Sequence, residues 1–596
     1  MHEFSVPATV KVDPESNLTD AVWVNAAEFP DHVVFNRRVD DVWQDVTAAT
    51  FRDEVTAVAK GLIASGVQPG DRVGLMSKTR YEWTLADYGI WAAGGVTVPV
   101  YETSSAEQVA WNLGDSGSVA VIVETAEHAA VVNSVRSEIP AVREVWQVEA
   151  DAVGTLRALG RDVADQEVDA RRRLATPESL ATIIYTSGTT GRPKGCELTH
   201  RNMLFQVATT VESLKSMFNP DGSTLLFLPL AHVFARMIQA GVVDTRTRLG
   251  HTADVKNLLP DLAAFKPTFL LAVPRVFEKV YNVSKQRAHD GGKGGAFDKA
   301  EQVAVAYSRA LETGGPGLAL RAQHALFDKL VYGRLRAALG GRCVSAISGG
   351  APLGERLGHF YRGIGVTVFE GYGLTETTAG GCLNIEGAVK IGTVGRPVPG
   401  ISVRIGDDGE ILLKGDNIFR GYWHNPQASA AALSADGWFR TGDLGEIDDD
   451  GYLKITGRKK ELIVTAAGKN VAPAVLEDRL RRHALISQCM VVGDAEPFIG
   501  CLVTIDLDAF PGWKQRNSKP ADASVGDLRE DPDLRTEIQK GVDETNRAVS
   551  QAEAIKKFVI LADDFTLEGG ELTPKLSLKR AVVLKQYADE VAAIYS

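Results

Sequence analysis

The 596-residue sequence predicts an α/β protein: a large N-terminal domain of parallel-rich sheets with helices, which includes a small antiparallel barrel-like subdomain, and a small α+β C-terminal domain. Three observations carry this prediction. From about residue 50 to 345, helix-spaced segments alternate with short continuous apolar runs, the pattern of βαβ units and parallel sheets. After about 390 the chain changes to alternating strands around Asp-Gly pairs, which favour tight primed turns. Beyond Gly457 a shorter unit mixes two helical patterns with three apolar strands. The division is therefore 1–456, with the antiparallel subdomain at about 390–456, and 457–596.

The elements follow in order. FRDEVTAVAKGLIASG reads as a helix ending at Gly66, DRVGLMS as a short apolar strand, and YEWTLADYGIWAAGG as a second helix. VTVPVY, VAVIVE, REVWQV, ATIIYT, LLFLPL, TFLLAV and VTVFEG read as strands, most of them short apolar runs as buried parallel strands are. AHDGGKGGAF is a glycine-rich breaker between helices. SVRIGDDGEILLKG and GEIDDDGYLKITG each read as a hairpin, turning at Asp408-Gly409 and Asp450-Gly451. In the last unit VAPAVLEDRLRRH and TEIQKGVDETNRAVS read as helices, and SQCMVVGD, IGCLVTID and KKFVILAD as strands; the polar stretch 512–533 reads as a surface excursion.

Composition narrows the function. Charged residues make up 24% and hydrophobic residues 44%, an ordinary globular balance that excludes a largely disordered or fibrous chain. The net charge of −11 argues against nucleic acid as a partner, because phosphate neutralisation needs a basic face. Five cysteines without a CxxC pair read as reduced thiols in a cytoplasmic protein. The N-terminus lacks the basic and apolar regions of a signal peptide. The longest apolar stretch, YGIWAAGGVTVPVY, is too short and too rich in Gly and Pro to cross a bilayer. Peripheral contact with the inner face of a membrane stays compatible with the sequence, as does a homodimer.

The strongest chemical signal is YTSGTTGRPKG at 185–195, a strand running into a loop of glycines and hydroxyls with Lys194 near its end. Such a loop lets backbone N–H groups curl around phosphate oxygens, with hydroxyls and an ammonium adding donors and charge. A P-loop, G-x-x-x-x-G-K-[ST], fails on counting: five residues after Gly188 stands Pro193, and Gly195 follows Lys194. The next helix starts later, near Thr199. Further along, in EGYGLTET, Tyr372 can stack on a purine face, Thr375 can donate to a phosphate and Glu376 offers an oxygen to a hard cation. Asp443 in WFRTGD can accept from two vicinal hydroxyls.

With SGGAPL at 348–353, EGYGLTET at 370–377, WFRTGD at 438–443, GRKKELIVTAAGKNVAP at 457–473 and LTPKLSLKR at 572–580, the loop at 185–195 resembles, in order, the motifs of the adenylate-forming superfamily: acyl-CoA synthetases, peptide-synthetase adenylation domains and luciferases. PLAHVFAR and VPRVFEKVY make the sequence most similar to bacterial long-chain fatty-acid–CoA ligases. The resemblance implies that the fatty carboxylate is activated by ATP as acyl-AMP, with Mg2+ on the ATP, and then transferred to CoA after a mobile C-terminal domain rotates. It implies a chain of about C12–C18, each buried methylene adding up to ~0.8 kcal/mol. A fatty acyl-AMP ligase that delivers to a carrier protein is the alternative.

The same resemblance implies site residues. Lys194, Thr375 and Glu376 are catalytic, and Glu376 is the metal ligand. Thr186, Ser187, Gly188, Thr189, Thr190, Gly349, Gly350, Ala351, Glu370, Gly371, Tyr372, Gly373, Asp443 and Arg458 bind ATP or AMP. Lys460 is the hinge, and His232, Gly468 and Lys469 face the acyl and CoA side. Arg275 is either a CoA-phosphate partner or a structural salt bridge. The final motif departs from its relatives: Ser577 stands where they carry a lysine. On an extended segment Lys575, Ser577 and Lys579 would share a face; Lys579, which precedes Arg580, is the first choice for the missing role and Lys575 the second, the alternative being that neither takes it.

Overall fold

The computed structural model describes residues 1–39, 42–186, 192–253, 257–466, 469–573 and 577–596. A seven-stranded sheet forms the centre of the large unit, in the order Gly421–Tyr422, Lys194–Thr199, Leu180–Thr186, Val96–Val100, Arg72–Met76, Ala120–Val123, Glu144–Gln147. Its last five strands pair in parallel, as the βαβ alternation predicts. Val96–Val100 is buried at every position, the signature of a strand covered on both faces. The helix Tyr81–Ala92 packs beside it with nearly all of its residues buried, which explains the longest apolar run of the sequence without a membrane. No helix among the described residues is long and apolar enough to cross one.

A second, five-stranded sheet runs Phe269–Ala272, Ser345–Ser348, Thr367–Tyr372, Cys382–Leu383, Arg396–Pro397, parallel over its first three strands. A four-stranded sheet joins Ser223–Leu226 and Arg248–His251 to the hairpin Val33–Val39 and Val42–Thr47, which the sequence reading leaves out. The antiparallel sheet contains Ser402–Ile405, Glu410–Lys414, Phe439–Ile447 and Leu453–Arg458, as expected. It also recruits the N-terminal strand Glu3–Ser5, a long-range pairing without a local signal.

The C-terminal unit holds the hairpin Ile463–Val464 and Asn470–Val471, the three-stranded sheet Ile486–Val492, Ile499–Ile505, Ile555–Ile560, and helices including Pro473–Leu480 and Pro532–Asn546. Its own apolar core gathers Leu476, Leu480, Val491, Cys501, Leu534 and Ile538.

Three expectations need correction. The Asp-Gly hairpins do not use two-residue primed turns. Gly409 and Gly451 take φ of +80° and +85°, but Asp408 and Asp450 stay out of the positive-φ region that a type I′ turn demands at both positions. The loops are longer, and aspartates cap them: Asp408 Oδ1 accepts from the Glu410 N–H, and Asp448 Oδ1 from the N–H groups of Asp450 and Tyr452. Next, the stretch 512–533 is not simply a surface excursion. It contains most of the short helix Phe510–Arg516 and all of Val525–Leu528, and Trp513, Lys514 and Val525 are buried.

The third correction concerns the final motif, whose described ends, Leu572 and Leu578, pair antiparallel and so do not belong to one straight strand. The Thr573 N–H donates to the Ser577 carbonyl at 2.8 Å, and Lys579 stands at the N-cap of the helix Arg580–Gln586. Lys575 lies outside the described residues, and so does the face expected to join it to Ser577 and Lys579.

Candidate active site

Two polar clusters meet on the segment 370–377, where the strand Thr367–Tyr372 runs into the short turn Thr375–Thr377. In the first, the Tyr372 hydroxyl donates to Asp443 Oδ2 at 2.7 Å and Arg458 Nε donates to Oδ1 at 3.0 Å. Asp443 and Arg458 face each other across adjacent strands, so the pair is set by sheet register. Burial pushes the Asp443 carboxyl up, against the pull of Arg458 and Tyr372. Burial also works against the charge of Arg458, but Asp443 and Glu461 hold it above the ordinary arginine value. Both carboxylate oxygens thus already accept one bond, and each has a second lone pair to offer.

In the second cluster the Tyr422 hydroxyl donates to Glu376 Oε1 at 2.8 Å, while the Lys194 ammonium sits 4.6 Å from the centre of the same ring. Tyr422 reaches both because its strand pairs antiparallel with Lys194–Thr199. The sequence reading misses Tyr422; the adjacent aromatic pair Tyr422-Trp423 was the available signal. The limb that leads to Lys194 is fastened from outside: Trp111 Nε1 donates to the Pro193 carbonyl at 2.8 Å, and Arg192 lies over the Trp111 ring. Thr186 stands opposite Lys194 in the sheet. Ser187, Gly188, Thr189 and Thr190 lie outside the described residues.

Backbone strain marks the turn. Thr378 and Ala379 follow Thr375–Thr377 in the left-handed region, at φ of +51° and +69°. Such non-glycine conformations cost of order 1–3 kcal/mol each and persist where the surroundings over-determine them. Here the Thr378 hydroxyl donates to the Asn417 carbonyl and Asn417 Nδ2 to the Thr377 carbonyl. Gly373 is obligatory, since a Cβ would stand 2.4 Å from the Ala379 oxygen.

Gly349 answers a second close approach: its Cβ would come within 3.2 Å of the Phe234 ring and 3.6 Å of the Gly371 carbonyl. Phe234 lies in the first turn of the helix Val233–Thr245, which His232 caps, so His232, Gly349 and Gly371 belong to one neighbourhood. Gly350 and Ala351 follow, exposed, in the loop after the strand Ser345–Ser348. Glu370 is buried beneath them. Its Oε1 accepts from the Leu353 N–H at 2.9 Å, and burial, reinforced by Asp478, pushes its carboxyl up to about 7.

Residues 22–423 match the AMP-binding enzyme family, and residues 460–596 match the AMP-binding enzyme C-terminal domain. The chain belongs to the AMP-binding enzyme family. It is 54% identical to the long-chain-fatty-acid–CoA ligase FadD15 of Mycobacterium tuberculosis, covering 100% of both chains. It is 27% identical to the human long-chain-fatty-acid–CoA ligase 1, covering 94% of this chain and 84% of that protein. Among solved structures, the A domain of carboxylic acid reductase from Segniliparus rugosus, in complex with AMP and a co-purified carboxylic acid, superposes with a TM-score of 0.76 at 20% identity, covering 98% of this chain and 95% of that one. That likeness establishes the fold.

In this AMP-binding enzyme the remaining expected residues stand apart from the two clusters. Lys460 is exposed in the turn Lys459–Glu461, beside Lys459, which donates to Asp408 at 2.6 Å. Lys469 lies 3.4 Å from Glu553, and Gly468 lies outside the described residues. Lys579 donates its backbone N–H to the Glu571 carbonyl; Arg580 Nη1 donates to Glu477 at 2.6 Å, anchoring the motif inside the C-terminal unit. Arg275 favours the structural option: its guanidinium donates to the carbonyl and hydroxyl oxygens of Ser487, at 3.1 and 3.0 Å, linking the two units. Ser487 in turn donates to Asp564.

Sequence reading also misses what lies under the site. Arg236, the arginine of PLAHVFAR, is fully buried with Asp87, which it grips through Nε and Nη2, and it donates to the Thr182 hydroxyl. This ties the helix behind His232 to the helix Tyr81–Ala92 and to the strand Leu180–Thr186.

Proposed function

We propose that the chain is a long-chain fatty-acid–CoA ligase. The fatty carboxylate oxygen bonds to the α-phosphorus of ATP and pyrophosphate leaves, giving acyl-AMP. The CoA sulfur then bonds to the acyl carbon, loses its proton, and AMP departs as acyl-CoA forms. The observation that supports this reading is the meeting of two clusters, Tyr372–Asp443–Arg458 and Lys194–Tyr422–Glu376, on the segment 370–377, in a chain whose full-length relatives carry that activity in their names.

Within this reading the residues mainly position and neutralise, which suits phosphoryl chemistry. Asp443 accepts from the ribose hydroxyls, with Tyr372 and Arg458 fixing its carboxylate. Thr186, the loop 187–190 and Lys194 receive the phosphates, and Thr375 donates to the α-phosphate. Gly349, Gly350, Ala351, Glu370, Gly371 and Gly373 shape the adenine side. Glu376 fits Mg2+ by its chemistry: one carboxylate, steadied by Tyr422, beside phosphates that supply further oxygens, is the donor set this hard cation favours. When bound, the ion offsets phosphate charge. No cysteine serves as nucleophile. All five are buried, and burial pushes the thiols of Cys196, Cys382 and Cys501 up, and that of Cys343 up to about 12.

Residues 457–596 act as a separate domain that turns about Lys460 between the two steps. His232 then borders the acyl chain, Gly468 and Lys469 border the thiol, and Lys579 supplies the lysine missing at Ser577 from the helix cap.

Exchange of labelled pyrophosphate into ATP tests the reading. Exchange should require palmitate, proceed without CoA, and vanish in a Glu376→Ala variant that melts like the wild type. Exchange that ignores palmitate, or a folded variant that exchanges at the wild-type rate, would overturn the corresponding assignment.

A further inference from the structure

The helix Leu318–Phe327 has no buried residue, although it carries four leucine and phenylalanine side chains. The chain continues as helix through Asp328–Tyr332 and Gly333–Ala338. The inward face is accounted for. His324 Nε2 meets the Gly363 carbonyl at 2.6 Å, the Tyr332 hydroxyl donates to the Ala300 carbonyl, and Phe327 and Val331 pack on the core. The outward face is not. Leu318, Leu326 and Leu330 are 84%, 56% and 54% exposed, with Ala322 exposed between them at helical spacing.

Charge tells what such a face fits. The whole protein is acidic, yet residues 318–342 hold five basic side chains against the single acid Asp328. Asp328 is occupied by Arg336 at 2.7 Å. Arg321, Lys329, Arg334 and Arg342 are exposed, and among the described residues none of them forms an ion pair with an acidic side chain. An apolar stripe bordered by free cations, on a helix rooted by its other face, matches the interface of an anionic bilayer, where leucines enter the acyl boundary and cations meet headgroup phosphates.

We propose that the helical segment 318–338 is the surface by which this protein docks on anionic membranes. The inference concerns a face separate from the catalytic clusters and is tested without turnover. Purified full-length protein is sedimented with vesicles of phosphatidylcholine alone, or of phosphatidylcholine with one quarter phosphatidylglycerol. Wild-type protein should bind the anionic vesicles preferentially and release in high salt. Leu326→Glu/Leu330→Glu and, separately, Arg321→Gln/Lys329→Gln should each weaken that binding roughly tenfold or more.

Both variants should keep wild-type palmitate-dependent pyrophosphate exchange in vesicle-free buffer, which certifies their fold; if the glutamate pair unfolds the protein, the glutamine pair decides. Equal binding of wild type and folded variants, equal binding to both vesicle types, or no binding would overturn the proposal. So would a wild-type dimer in vesicle-free solution that the leucine substitutions dissociate, which would assign the face to a second copy of the chain.

Discussion

Glu370 and Tyr422 are the residues from which the site is most directly interrogated. The Glu370 carboxyl is pushed from its ordinary 4.5 up to about 7 by burial, with Asp478 as the facing acid and only the Leu353 N–H opposing. Its folded pKa lies above its unfolded one, so between about 4.5 and 7 the native state holds a proton that the unfolded chain has released. Stability therefore falls as pH rises through that window and levels off above it. Glu370→Gln should remove this loss, stabilising the protein at pH 8 relative to pH 4.5 by roughly 1–3 kcal/mol more than in the wild type. Thermal melts of both proteins across that range check it; parallel curves would contradict it.

For Tyr422, the phenylalanine variant keeps the ring under Lys194 but loses the bond to Glu376, a charge-assisted contact worth about 1.5–3 kcal/mol. Palmitate-dependent pyrophosphate exchange should fall roughly ten- to hundredfold, with the melting temperature little changed. Glu376 and Lys194 were legible because each sits in a contiguous motif. Tyr422 was not, because it meets Glu376 from 46 positions away through a strand pairing of only two residues.

At the level of elements, continuous apolar runs and helix spacing were legible because they are local, and the parallel strands around Val96–Val100 follow from them. The capping box of the helix His200–Ser213, with Thr199 accepting from the Asn202 N–H, likewise falls where the loop was expected to end. Long-range partners were illegible. Glu3–Ser5 joins a sheet some 400 residues away, and Arg236 finds Asp87 across 149 residues. That ion pair is fully buried, with Gln239 and Thr97 also bonded to Asp87. Asp87→Asn or Arg236→Met alone should cost about 3–5 kcal/mol, because each leaves a buried group unpaired, whereas the double variant should cost less than the sum. Denaturant titration of the three proteins measures the coupling. The final motif shows the converse hazard. A period of two predicts one face for 575, 577 and 579, and the described ends of the motif pair with each other instead of running straight, Leu572 with Leu578 and Thr573 with Ser577.

For the molecule as a whole, the contacts of Arg275 with Ser487 bear on how the C-terminal unit is held. Arg275→Ala removes them, along with a long pairing to Asp506 at 4.0 Å. Trypsin should then cut faster at Arg458–Lys460, and the rates of adenylate formation and thioester formation should change by different factors. Unchanged cleavage with equal losses in both steps would mean the contact does not select an orientation. The two-unit layout was legible from the shift in strand pattern, whereas the partner of Arg275 lies in the other unit and had no local signal.

The central claim is tested most directly by product analysis with the wild-type protein, ATP, magnesium, CoA and either palmitate or acetate. The account predicts palmitoyl-CoA, AMP and pyrophosphate in equal amounts, with far lower catalytic efficiency for acetate. Acyl-AMP that accumulates without thioester, or comparable efficiency for the two acids, would contradict it.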